Sequence, residues 1–95
     1  MSNWLYPKSV QKVEKACVYF LSEQLNVEEL QAVLYQSEQE IKAFEEKWLR
    51  SLLFNVENEL EEIIYTVSED EKREKMITVV NKLLFDIKNR RGHIF

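Results

Sequence analysis

The chain has one glycine, Gly92, and one proline, Pro7, and nothing else punctuates the backbone between residues 8 and 91. Tight hairpins and phosphate-cradling loops both need glycine, so those devices and most sandwich or barrel folds are excluded. The single cysteine, Cys17, has no partner for an intramolecular disulfide, and a reducing cytoplasm is the compartment expected of such a chain. The single histidine, His93, lies near the C-terminus, a fraying position unsuited to a general base. No apolar run approaches the ~18 residues needed to span a bilayer. The N-terminus, Met1 to Lys8, lacks a basic stretch followed by an apolar one, so no secretory leader is expected.

What is present is helical periodicity in a 95-residue chain that is 45% hydrophobic and 32% charged, enough for one domain spanning residues 1–95. Pro7 suits the first turn of a helix over residues 8–24, with Val10, Val13, Cys17, Phe20 and Leu21 on its apolar face. Trp4 and Tyr6 precede it as a hydrophobic staple. Asn26 with Glu29 reads as a capping box. From there Val27, Leu30, Leu34, Ser37, Ile41, Phe44 and Trp48 keep a three-four alternation, a coiled-coil-like seam with one polar slot.

Residues 48–54 are apolar on nearly all sides and are expected to cross the middle of the core. Asn55 is a candidate cap, and Val56, Leu60, Ile63, Ile64 and Val67 form the next stripe. Ser68 with Glu71 reads as a second capping box, opening a helix over 69–90, about 33 Å long. The expected fold is all-α, a compact antiparallel bundle of four or five helices. The open question is whether residues 27–67 form one, two or three of them, with breaks at Ser37 or Asn55.

The formal net charge of −4 hides a strong asymmetry. Residues 23–71 carry fourteen acidic side chains against Lys42, Lys47 and Arg50, whereas residues 72–95 carry seven basic ones against Glu74 and Asp86. Between residues 57 and 71 there is no base at all, and like charge so crowded costs stability by self-repulsion. With the Val56–Val67 stripe facing inward at 100° per residue, Tyr65 points directly away from it, amid Asn58, Glu61, Glu62 and Glu69. Together with Glu57, Asp70 and Tyr35 (beside Gln31 and Glu38), these residues are the candidate partner-binding set. An aromatic anchor ringed by carboxylates suits a basic protein surface. The plainer reading is a solvated acidic face with Tyr65 lying across a neighbouring helix.

Catalysis has no support in the sequence. Cys17 falls on an apolar stripe, no Cys/His cluster has zinc spacing, and no inward Glu-x-x-His pair offers a carboxylate-bridged metal site. Glu57 and Glu61 are spaced i,i+4 on what reads as a solvated side. No catalytic residue, metal or cofactor is expected. Lys72, Arg73, Lys75, Lys82, Lys88, Arg90 and Arg91 make the last helix basic. A pI near 5.1 argues against nucleic acid, and these bases more simply offset the helix dipole and pair with the acidic segment.

In size, acidity and helical texture the whole chain resembles the small acidic helical immunity proteins that bacteria pair with secreted nuclease toxins, those of contact-dependent inhibition systems included. Within the colicin-nuclease immunity family a Tyr-Tyr-Pro step lies next to acidic residues. Ile64-Tyr65-Thr66 keeps one tyrosine of that step, so a carry-over reaches Tyr65 with Glu61 and Glu62. The resemblance implies a stoichiometric inhibitor, monomeric or weakly dimeric, that neutralises a basic nuclease toxin and binds neither nucleic acid nor membrane. The alternative expectation is a non-catalytic adaptor pairing through the 27–48 seam.

Overall fold

The computed structural model describes residues 6–42 and 47–92, which form four helices: α1 (Pro7–Leu21), α2 (Val27–Glu40), α3 (Lys47–Thr66) and α4 (Glu69–Gly92). They pack in a ring, α1 on α2, α2 on α3, α3 on α4 and α4 on α1, with no contact between diagonal pairs among the described residues. Each link between successive helices is short, so neighbours run antiparallel. The body measures 41 × 21 × 20 Å, and the 24 residues of α4 span about 36 Å. The all-α bundle is the fold the periodicity predicted.

The core is one cluster fed by all four helices: Val10, Val13, Cys17 and Phe20 from α1, and Leu30 and Leu34 from α2. Leu49, Leu53, Val56 and Leu60 come from α3, and Met76, Val80, Leu83 and Ile87 from α4. Burying a leucine or phenylalanine side chain contributes roughly 1.5–3 kcal/mol, and this shared interior is what holds otherwise marginal helices.

Helix α1 stops three residues earlier than expected. The Gln24 N–H donates to the Tyr19 carbonyl (2.8 Å) and the Glu23 N–H to the Phe20 carbonyl (3.1 Å), which is a Schellman closure. Glu23 takes the left-handed position with φ 65°, a place glycine usually fills. The Asn26 box forms in full: Asn26 Oδ1 accepts the Glu29 N–H (2.8 Å) and Glu29 Oε1 accepts the Asn26 N–H (3.0 Å). At Ser68 the expected box does not form in that way. Its hydroxyl donates to the Glu71 carboxylate (3.4 Å), while the Glu71 N–H goes to the Ser68 carbonyl (3.0 Å).

The seam expected to run from Val27 to Trp48 is broken. Helix α2 ends at Glu40, Trp48 belongs to α3, and Phe44 lies outside the described residues. Neither Ser37 nor Asn55 breaks a helix, and α3 runs straight through Asn55. Residues 48–54 do not cross the core either: Leu49 and Leu53 are buried, but Trp48, Arg50, Ser51 and Phe54 are exposed. Tyr6 does tie the start of α1 to the rest. Its hydroxyl accepts the Lys42 N–H (3.2 Å), while Trp4 lies outside the described residues. Nearby, Glu40 accepts from the Ser9 hydroxyl (2.9 Å) and pairs with Lys12 (3.4 Å), and these two contacts hold its carboxyl below the ordinary range.

Candidate functional site

Helix α3 turns Leu49, Leu53, Val56 and Leu60 inward, and its opposite face follows from that choice. Phe54, Asn58, Glu61 and Tyr65 recur at i, i+4, i+7 and i+11, one line along the outer surface, with Glu62 beside it. All five are exposed; Tyr65 is 78% exposed and Phe54 52%. Eleven residues separate the two rings, so they stand roughly 16 Å apart with the carboxylates of Glu61 and Glu62 between them. Among the described residues neither carboxylate forms an ion pair with a lysine or arginine. The outward projection of Tyr65, Asn58, Glu61 and Glu62 therefore stands, and Phe54, expected in the core, joins them.

Helix α2 supplies the rim. Glu38 on α2 lies beside Glu57 on α3, whose carboxyl is raised from 4.5 to about 8 by its burial, to which the charge of Glu38 adds. Tyr35, one turn before Glu38, then stands level with Glu61, one turn after Glu57. It is 56% exposed, so the α2–α3 surface carries three aromatic rings around its carboxylates. At the α3 start the same surface turns basic, where Lys47 and Arg50 line a shallow groove with Phe54, Asn55 and Glu38.

Four residues expected on or beside this face sit elsewhere. Glu57 is not on the solvated side but half-buried in the α2–α3 seam. Glu38, expected beside Tyr35 on the outer face, is buried. Glu69 and Asp70 are exposed but belong to the first turn of α4, because the helix breaks at Val67–Ser68 and the projection along α3 ends there. Glu69 pairs with Lys72 (2.7 Å) and lines a groove with Phe20, Asn26, Ile64 and Arg73 at the end of the bundle.

Two bases of α4 meet the acidic 23–71 segment, as expected: Lys72 pairs with Glu69 (2.7 Å), and Arg73 Nε stands 4.0 Å from the Glu23 carboxylate. Arg73 also reaches the end of α1, where Nη2 donates to the carbonyls of Phe20 (2.9 Å) and Leu21 (3.3 Å). Among the described residues no three His, Cys, Asp or Glu side chains converge on a metal position, and no helix is long and apolar enough to cross a membrane. Cys17 is buried, and that burial, with the charge of Glu14 adding to it, pushes its thiol up to about 12. His93 lies outside the described residues.

No family model matches the chain, and neither a curated protein nor a solved structure is similar to it.

Proposed function

We propose that this chain is a non-catalytic binding protein whose α3 face, with the α2 rim, docks on a basic protein surface. In the immunity-type reading the partner is a nuclease toxin, and the carboxylates occupy the positive cleft that otherwise holds a phosphate backbone. The observation that carries this is Tyr65. A ring 78% exposed adds little to the fold, yet it stands with Phe54 around Glu61 and Glu62 on one helix face. Aromatic rings at the centre of an interface supply buried area, and fixed charge raises the encounter rate.

The adaptor reading has less to work with. Its seam residues Leu30, Leu34, Ser37 and Ile41 are all buried inside this chain, so they offer no surface to a second helix.

The test is affinity capture from the source lysate, run in parallel with the chain and with a variant carrying Tyr65→Ala, Glu61→Lys and Glu62→Lys. A basic protein recovered in near-equal amount by the chain, released by salt and missing from the variant supports the reading. Identical recoveries by both proteins would sink it.

A further inference from the structure

Two helices that do not touch carry outer lines of the same geometry. On α1, Lys8, Lys12, Lys15 and Tyr19 recur at i, i+4, i+7 and i+11, and all four are exposed. On α3, Phe54, Asn58, Glu61 and Tyr65 recur at the same steps. The chemistry of the two lines is complementary. One has three bases and a ring; the other has a carboxylate with Glu62 beside it, an amide and two rings. Among the described residues Lys8 and Lys15 pair with no carboxylate, and Lys12 meets Glu40 only at 3.4 Å, between two solvated side chains. An exposed pair of that kind holds its lysine weakly. Glu14, the one acid of α1, falls off the line.

Laid antiparallel, the two lines register residue by residue. Tyr19 meets Phe54, Lys15 meets Asn58, Lys12 meets Glu61 and Lys8 meets the ring of Tyr65, and every lysine then lies within about one turn of Glu61 or Glu62. A parallel arrangement would set Lys8 against Phe54, about two turns from either carboxylate, with both helix dipoles pointing the same way. Ring on ring and cation on ring add attraction to the matched charge. Val18, 53% exposed, widens the apolar end beside Tyr19. Helices α1 and α3 stand at diagonal corners of the ring, so one chain cannot bring its own lines together, whereas two copies can.

We infer that the occupant of the α1 line is the α3 line of a second copy, so that the chain associates with itself through two unlike faces. Each such contact leaves one lysine line and one acidic line unmatched at its ends, and assembly therefore grows with concentration. Opposite fixed charge steers the lines together and makes the contact sensitive to salt. The inference does not rest on a toxin partner, because it uses only surfaces of this chain.

The experiment is sedimentation velocity on the purified full chain, from micromolar to millimolar concentration, at about 0.02 M and about 0.5 M salt. The mass is expected to rise with concentration at low salt and to return to that of the monomer at high salt. Lys8→Glu with Lys15→Glu, and separately Glu61→Lys with Glu62→Lys, should each weaken association at least tenfold. All four side chains are exposed, so helicity by circular dichroism should match the parent. Mixing the two variants should restore association, because one keeps the acidic line and the other keeps the lysine line. A parent that stays monomeric at millimolar concentration, variants that associate like the parent, or a mixture that stays monomeric would each overturn the contact. In the first case, vesicles of phosphatidylserine that retain the parent but not the Lys8→Glu, Lys15→Glu variant would give the α1 line to an anionic surface instead.

Discussion

Arg73 closes the end of a helix it does not belong to: its guanidinium carbon lies 4.7 Å from the centre of the Phe20 ring, and its Nη2 donates to the Phe20 carbonyl at 2.9 Å. A second bond from Nη2 reaches the Leu21 carbonyl, and Nε stands 4.0 Å from the Glu23 carboxylate. The positive head thus meets the negative end of the α1 dipole while stacking on a core ring. It adds a polar tie to the core packing between α1 and α4, the first and last helices of the ring.

Arg73→Ala is therefore expected to lower stability by about 1–3 kcal/mol, since it strips donors from the α1 carbonyls and removes the stacking. Arg73→Lys should recover part of the loss but not the stacked fork geometry. Urea unfolding of the three proteins measures this. An alanine variant as stable as the parent would show that the tie contributes nothing.

Glu23 is held at φ 65°, where a side chain costs energy and glycine does not. Glu23→Gly should stabilise the fold by about 0.5–1 kcal/mol, less whatever its long contact with Arg73 contributes. Thermal unfolding checks the sign, and a clear loss of stability would mean that the Arg73 contact outweighs the backbone strain.

Cys17 is buried in the core with its thiol pushed up to about 12. The reactive thiolate is thus negligible in the folded chain at pH 8, and labelling by a thiol reagent should follow the unfolded fraction through a urea series. Rapid labelling without urea would contradict this burial.

Tyr65→Ala and Phe54→Ala should each leave stability within about 0.5 kcal/mol of the parent, because both rings are mostly solvated. In a true interface the same substitutions weaken binding by about 2 kcal/mol. A large loss of folding stability instead would assign these rings to the fold.

The outer line of α3 was legible because it needs only one helix: once Val56, Leu60 and Ile63 face inward, the 100° step places Asn58, Glu61 and Tyr65 outside. Extending that step across Val67–Ser68 misplaces Glu69, because the backbone turns into α4 there. Phe54 was missed for the opposite reason. Seven successive residues of mostly apolar type look like core, yet only Leu49 and Leu53 fall on the buried stripe.

Alone, the sequence determined the all-helical class, the apolar stripes, the Asn26 cap and the concentration of acid in the middle of the chain, all consequences of composition and local period. The tertiary structure decided where α2 ends, that Arg73 caps α1, and that Glu38 and Glu57 meet in the α2–α3 seam. Those outcomes depend on pairs of residues far apart in the chain. Which residues meet is set by how four helices share one core, and no local period encodes that.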